Sequence, residues 1–425
     1  MKLQKQYTKA FPELCARLAR AIVSRAGEPV SFDAFQLELI LSVLETAVEL
    51  HSDICEHDQR LVFMPALIRY ASTRKDLTAT ALEASIKNAE SEYLKRPLQE
   101  YVLVSSLGMV GTAVPRAVSS KGVSIQFQKK FPDRFKDESV LKDYEDILPP
   151  QPSVPLIAVT AKLKARTESG AYEQASETLD LVRASWNFLL NSKVVTQLLF
   201  LTERPVNNIL PGPVHMVYNP NGTRASGLWY ESHKLRDQWF YRIDGGWSGI
   251  EDKARKLRIR LSRMPYGGDI ERALIRYCRA LDHPESAVSF NRLWSVLEQL
   301  TGSVGDYERL VARTSWLVSP SEQQFVRVLG QHLRDVRNGL VHHSRDRSQI
   351  QSYVYQLKWL TEALFRFHLR SGSRFRSLSE ACAVLDLSSD EGELRRQLLV
   401  RRWALRRLTT QRKSALPPDT AAEQS

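Results

Sequence analysis

Three residues with complementary chemistry lie close together near position 340: Arg337, Asn338 and His342. Histidine can take up and return a proton near neutral pH, and arginine is a permanent cation whose planar guanidinium matches phosphate oxygens. Asparagine adds a hydrogen-bond donor and an acceptor. This set suits cleavage of a phosphodiester without a metal. The ribose 2′-hydroxyl would be the nucleophile, His342 the proton shuttle and Arg337 the anchor of the phosphate.

The spacing limits how one chain can use these residues. On an ideal helix Asn338 and His342 lie about 40° apart, whereas Arg337 and His342 are separated by roughly 7.5 Å along the axis and lie on different faces. Gly339 weakens the helix between them by about 1 kcal/mol relative to alanine, which predicts a bend or a frayed end. The motif is short, and the alternative is an arginine in a surface ion pair and a histidine that caps a helix C-terminus.

The helix that carries the motif is predicted from its apolar periodicity. Residues 321–341 place side chains at helical spacing that are expected to face a core: Phe325, Val328, Leu329, His332, Leu333, Val336 and Leu340. The motif residues interrupt this pattern with polar groups. The sequence therefore predicts a polar site near the end of an otherwise buried helix face.

The composition indicates a globular protein with an anionic partner. The chain has 425 residues, enough for two or three domains, and its 43% hydrophobic and 25% charged residues are ordinary values. A net charge of +12 and a pI near 9.5 favour nucleic acid as that partner. A basic surface without such a partner is the alternative.

The cysteines and the hydropathy pattern narrow the class of protein. The four cysteines have no CxxC spacing and are expected to be reduced thiols. His51, Cys55 and His57 resemble half of a metal site, but without a second half they predict no metal. No apolar run approaches the ~20 residues that span a bilayer, and the N-terminus lacks the apolar core of a signal peptide. We therefore expect a cytoplasmic protein with no membrane partner and no cofactor.

Residues 1–247 predict an α+β domain. Helical periodicity covers residues 8–25, 35–51, 74–95 and 172–190. Strands are expected at residues 101–104, 123–127, 155–161, 198–201, 214–218 and 227–230. The turn sequence Asn219–Gly222 predicts a hairpin between the last two strands. Residues 132–153 are charged and then proline-rich, which predicts an exposed connection.

From about Trp247 onward the chain is predicted to be helical almost throughout. Short connections between its helices favour an all-α bundle of four or five members over residues 248–372. Residues 373–413 add two helices, and residues 414–425 are expected to be a disordered tail. The last helix is rich in arginine: Arg395, Arg396, Arg401, Arg402, Arg406 and Arg407. Interleaved leucines make it amphipathic, so it either docks on the bundle or follows an RNA backbone, and both readings stay open.

Two segments of the bundle resemble a known superfamily. Residues 290–298, with the sequence FNRLWSVLE, and residues 333–342, with the sequence LRDVRNGLVH, are similar to the HEPN superfamily and most closely to its ApeA-like branch. Residues 270–277 and the α+β half before them agree with this likeness. It covers roughly residues 268–372, and more loosely the chain from there to the N-terminus.

The resemblance implies a site and an activity. In HEPN proteins Arg-x4-6-His is the signature of metal-independent endoribonucleases, and dimerisation usually brings two motifs into one cleft. Members act as toxins or as abortive-infection effectors against phage, often on tRNA or other RNA. Carried over to this chain, the catalytic residues are Arg337, Asn338 and His342. His343 also satisfies the spacing, and Glu298 lies where a polar helper can occur on the preceding helix.

The resulting expectation is a homodimeric HEPN endoribonuclease built from an N-terminal α+β domain and a C-terminal all-α bundle. Cleavage would leave a 2′,3′-cyclic phosphate because the adjacent hydroxyl attacks. The N-terminal half would sense a trigger, hold substrate or restrain the activity. The alternatives are a non-catalytic RNA-binding or oligomerisation module and a toxin–antitoxin partner whose motif helix is covalently modified.

Overall fold

The computed structural model describes residues 1–24, 29–73, 77–111, 113–135, 156–191, 205–230, 241–243, 245–342 and 349–414. The chain divides into two units, the first formed by residues 1–186 and 208–251 and the second by residues 187–207 and 252–425. The predicted strand at residues 198–201, most of the predicted connection at 132–153 and all but the first residue of the predicted tail lie outside the described residues. None of the helices that the structure describes is both long and apolar enough to cross a membrane.

The first unit begins with four helices: α1 (Phe11–Ala21), α2 (Ala34–Ala47), α3 (Gln59–Thr73) and α4 (Ala79–Leu94). Leu18, Ile40, Phe63 and Ile86 contribute to one hydrophobic core from all four helices. Two short strands, β1 (Lys2–Leu3) and β2 (Val48–Glu49), pair antiparallel beside it. The helices predicted over residues 8–25, 35–51 and 74–95 are confirmed with shorter bounds.

Helix α3 is an element that the sequence did not predict. Val62, Phe63, Leu67 and Tyr70 are buried at helical spacing, but Pro65 interrupts the pattern. A proline inside a helix costs about 3 kcal/mol. Burying each large apolar side chain contributes about 1.5–3 kcal/mol, so this face outweighs the proline.

A six-stranded antiparallel sheet forms the rest of the first unit. Its strands are β3 (Gln99–Leu107), β5 (Val118–Ser120), β6 (Val123–Gln128), β7 (Ile157–Ala165), β8 (Val214–Tyr218) and β9 (Arg224–Tyr230). Their order is β5-β6-β7-β3-β8-β9, and β3 pairs with β7 along its whole length. Two further strands, β4 (Met109–Gly111) and β10 (Tyr241–Ile243), pair parallel. The predicted hairpin is confirmed, since β8 and β9 pair across the turn at Asn219–Gly222.

Aromatic side chains pack on both faces of the sheet. On one face Trp186 of helix α5 (Glu168–Leu190) lies with its ring centroid 5.4 Å from that of Phe127. On the other face Phe135 packs on Tyr218, with ring centroids 5.3 Å apart. Phe135 is buried, so the connection predicted to be exposed from residue 132 begins with an anchor in the core.

Eight helices follow the sheet: α6 (Trp247–Ser262), α7 (Gly267–Leu281), α8 (Ser286–Thr301), α9 (Tyr307–Ser315), α10 (Pro320–His342), α11 (Ile350–Ser371), α12 (Leu378–Val384) and α13 (Glu391–Ser414). Helix α8 is central in the second unit because α7, α9, α10, α11 and α12 all contact it. Phe290, Leu293, Trp294, Leu297 and Leu300 bury its apolar stripe. The predicted α+β class and helical C-terminal half are confirmed.

Two buried polar groups tie helix α11 to its neighbours. Glu362 binds Lys358 at 2.6 Å and Arg366 at 2.8 Å, and it accepts a hydrogen bond of 2.7 Å from the hydroxyl of Tyr277 on α7. His368 lies 3.0 Å from the Leu300 carbonyl through Nε2. A carbonyl only accepts, so Nε2 carries the proton and Nδ1 accepts from the Tyr266 hydroxyl at 3.1 Å.

Candidate functional site

Helix α10, which carries the motif, buries a different face from the predicted one. Leu333 and Val336 are buried as predicted, but Phe325 and Val328 are 67% and 53% exposed and His332 is also exposed. The buried row is instead Gln323, Val326, Gly330, Leu333 and Val336.

Gly330 explains the difference in the buried face of α10. A Cβ atom at this position would lie 3.0 Å from Val311 Cγ2, so α9 packs directly on the glycine backbone. Close packing at Gly330 turns its row inward and leaves the row of Phe325 and Val328 in solvent. Glycine has no side chain, so Gly330 adds nothing to the apolar periodicity of the sequence. The periodicity therefore predicted that the larger apolar residues, Phe325 and Val328, form the buried face.

Arg337 is half-buried and lies against an aromatic ring. Its guanidinium carbon is 5.4 Å from the ring centroid of Tyr307, a distance at which a cation is attracted to the ring face. One guanidinium nitrogen also lies 3.4 Å from Oδ1 of Asn338, which is half-buried beside it. Among the described residues Arg337 has no ion-pair partner, and Asp335, two residues before it, binds Arg334 at 3.0 Å.

Tyr307 is positioned from two sides. It is the first residue of α9, where the Asp306 side chain caps the helix by accepting a 3.0 Å hydrogen bond from the Arg309 backbone N–H. Its ring also makes an edge contact with Trp294 of α8, with centroids 5.9 Å apart. Tyr307 is not predictable from the sequence, since a tyrosine at a helix start has no signature that links it to an arginine thirty positions later.

Glu298, the predicted helper, is connected to the same group of residues. Its carboxylate accepts a 3.2 Å hydrogen bond from the indole N–H of Trp294. The contacts therefore run from Glu298 through Trp294 and Tyr307 to Arg337. This arrangement links the two segments that carry the family resemblance through side chains of α8, α9 and α10.

The histidines of the motif are placed only in part. His342 is the last residue of α10, but its side chain and the whole of His343 lie outside the described residues. On the same helix, the exposed His332 packs edge-on against Tyr353 of α11, with ring centroids 5.1 Å apart. His332 therefore serves as a matched histidine outside the motif.

The arginine-rich helix α13 is mostly exposed, and among its described side chains only Leu394 and Gln397 are half-buried. Leu398, Leu399, Trp403, Leu405 and Leu408 are between 48% and 66% exposed. All six predicted RNA-binding arginines are exposed as well. Among the described residues these large apolar side chains do not dock on the bundle, so that alternative is not confirmed, and contact with an RNA backbone stays a prediction.

The arginines of α13 differ in their contacts. Arg395 pairs with Glu391 at 2.5 Å, and Arg407 lies over the ring of Trp403 at 5.8 Å.

The chain just before α13 is fixed to α9, because Asp386 binds Arg313 at 2.5 Å and 2.7 Å. The Arg313 guanidinium holds the pKa of the Asp386 carboxyl below its usual value.

The residues that resembled half of a metal site have other contacts. His57 Nδ1 lies 2.8 Å from a carboxylate oxygen of Glu173, and His51 Nδ1 accepts a 3.2 Å hydrogen bond from the Asp53 backbone N–H. Burial raises the pKa of the Cys55 thiol well above its usual value. Across the part of the chain that the structure describes, no group of three or more histidine, cysteine or acidic residues could hold a metal ion.

Comparisons of the chain with protein-family models, with curated proteins and with solved structures give no match.

Proposed function

We propose that the chain is a metal-independent endoribonuclease of the HEPN type that acts as a homodimer. Arg337 anchors the scissile phosphate, Asn338 orients it and a motif histidine, His342 or His343, transfers the proton. The ribose 2′-oxygen attacks the phosphorus as its proton is taken up, the bond from phosphorus to the 5′-oxygen of the next nucleotide breaks, and that oxygen receives a proton. The products therefore carry a 2′,3′-cyclic phosphate and a 5′-hydroxyl. The resemblance favours a cytoplasmic toxin or an abortive-infection effector against phage, with tRNA as one candidate substrate.

The observation that carries this proposal is that the Arg337 guanidinium lies on an aromatic ring and has no described carboxylate partner. Its guanidinium lies 5.4 Å from the Tyr307 ring centroid without a carboxylate partner among the described residues, so its charge is available to a phosphate. Histidine proton transfer typically contributes 10²–10⁴-fold to a rate, and a positioned charge contributes about as much. Glu298 accepts a hydrogen bond from the Trp294 indole, and the Trp294 ring in turn contacts Tyr307, on which Arg337 lies.

The geometry of α10 supports the homodimer in this proposal. Arg337 and His342 are splayed by about 140° on an ideal helix, so one phosphate is difficult to reach from both in a single chain. A two-fold interface places each motif opposite its copy. The apolar strip formed by Phe325 and Val328 supports this arrangement, because Val328 points within about 40° of His342 on an ideal helix and has no described cover.

The test is cleavage of RNA by the purified chain in excess EDTA. Arg337→Ala and His342→Ala should each lower the cleavage rate by at least about 10²-fold. The matched controls on the same helix are Arg334→Ala and His332→Ala, which should stay within about threefold of wild type. If His343→Ala loses activity and His342→Ala does not, the catalytic role moves one residue along. Cleavage that persists in Arg337→Ala and in a double His342 and His343 variant would contradict the assignment.

A non-catalytic RNA-binding module is the second candidate, and the exposed arginines of α13 favour it. Such a protein would bind RNA with a steep salt dependence and release no product in the same assay. Cleavage that Arg337→Ala abolishes would exclude it.

A further inference from the structure

A cleft of about 460 Å³ opens on the sheet of the first unit, and none of the residues that line it belongs to the motif. Strands β3 and β7 form its base, where Val102 lies opposite Lys162 and Glu100 lies opposite Lys164. Arg134, Pro220, Gly122 and Gln174 line the remaining sides.

The turns that border this cleft are held in place by specific contacts. Gly222 adopts a φ of +93°, and a Cβ atom there would lie 2.5 Å from the Arg134 carbonyl oxygen. The β8–β9 turn therefore packs directly on the backbone of Arg134, as only glycine allows. On another side the Gln174 amide donates a 3.1 Å hydrogen bond to the Lys121 carbonyl of the β5–β6 turn.

The charges in the cleft are unbalanced. Lys164 lies 3.9 Å from Glu100, which leaves Arg134 and Lys162 as cations without an ion-pair partner among the described residues. The guanidinium carbon of Arg134 lies 4.6 Å from the ring centroid of Phe135, which restricts the side chain. Its edge N–H groups remain available to an anion. On the same face of the sheet as Lys162, the buried Val102 supplies an apolar patch at the base of the cleft.

We propose that this cleft binds a phosphorylated small molecule of nucleotide size. Ligand sites of this kind usually enclose about 300–1,000 Å³ and combine apolar walls with a few convergent polar groups. A phosphate bound between Arg134 and Lys162 gives these two cations a negatively charged partner. The rest of the molecule lies against Gln174 and Pro220. The proposal goes beyond RNA cleavage and does not depend on it, because every residue of the cleft belongs to the first unit.

The experiment is isothermal titration of the full-length chain with the four ribonucleoside monophosphates, ATP and adenosine. At least one phosphorylated probe should bind at least about tenfold more tightly than adenosine, because a hydrogen bond to a charged group is worth about 1.5–3 kcal/mol. Arg134→Gln and Lys162→Gln should each weaken that binding about tenfold or more. Lys87→Gln, which removes an exposed lysine on α4, is the matched control and should change it less than about twofold.

Three outcomes would overturn the proposal. The first is that no phosphorylated probe binds wild type at millimolar concentration. The second is that Lys87→Gln weakens binding as much as Lys162→Gln, which would indicate general charge attraction. The third is that a short RNA oligomer binds through Arg134 and Lys162 while every nucleotide fails, which would make the ligand a polymer. Circular dichroism and thermal melting check that each variant folds. RNA cleavage measured in parallel keeps this result separate from the proposed nuclease.

Discussion

His368 makes the second unit sensitive to mild acid. Its ring is fully buried between Tyr266 and the Leu300 carbonyl, and burial lowers the pKa of the imidazole from 6.5 to about 4. Between these two values the unfolded chain binds a proton that the folded chain does not. Stability therefore rises with pH across this window, and it is lost as the pH falls from 6.5 towards 4.

The size of the effect follows from the pKa shift. One pKa unit corresponds to about 1.36 kcal/mol, so the full window is worth about 3 kcal/mol. Between about pH 7.5 and pH 5 the expected loss is about 2 kcal/mol in the free energy of unfolding. His368→Gln removes the titrating group and keeps an amide that can donate to the Leu300 carbonyl or accept from the Tyr266 hydroxyl.

The assay is urea unfolding at several pH values from about 7.5 to 5, with each transition fitted separately. Wild type should lose about 2 kcal/mol more over this range than His368→Gln. His332→Gln, which removes an exposed histidine of the same unit, is the control and should retain the wild-type loss. Equal losses in wild type and His368→Gln would refute the assigned role of the buried ring.

Three further predictions concern the proposed site. Tyr307→Leu should lower RNA cleavage about fivefold by removing a cation–π contact worth about 1 kcal/mol, whereas Tyr307→Phe keeps the ring and should stay within about twofold; equal rates in both variants would argue against this contact. Replacing Arg401, Arg402, Arg406 and Arg407 with glutamine should reduce the salt slope of RNA binding by up to about 3, and an unchanged slope would show that α13 makes no phosphate contact. Mixed Arg337→Ala and His342→Ala subunits should regain activity that neither parent has, and full activity in a monomer would exclude a shared cleft.

Local patterns predicted most elements of the fold. Strands such as β6, where Val123, Ile125 and Phe127 alternate with polar residues, carry their period in the sequence itself. The β8–β9 hairpin has an equally local signal in its turn. Helix α3 was not predicted because Pro65 lies inside it, and a proline disfavours a helix unless packing compensates for its cost. That packing is not visible in the sequence.

The features that were not predicted depend on contacts between distant residues. The buried face of α10 is set by the approach of Val311 to Gly330, a position without a side chain to signal it. The motif and the resemblance point to Arg337 and Glu298 as candidates, whereas the contacts of the Tyr307 and Trp294 rings between them depend on how α8, α9 and α10 pack. Phe135 likewise follows a charged stretch, and its burial against Tyr218 has no local signal.

The most direct test of the central claim is a single-turnover cleavage measurement in EDTA with one mapped RNA substrate and its analogue with a 2′-deoxy sugar at the scissile position. Wild type should cleave the RNA to a 2′,3′-cyclic phosphate and leave the analogue intact, and Arg337→Ala should cleave the RNA at least about 10²-fold more slowly. Equal cleavage of the RNA and its 2′-deoxy analogue, or an unchanged rate in Arg337→Ala, would contradict the proposed mechanism.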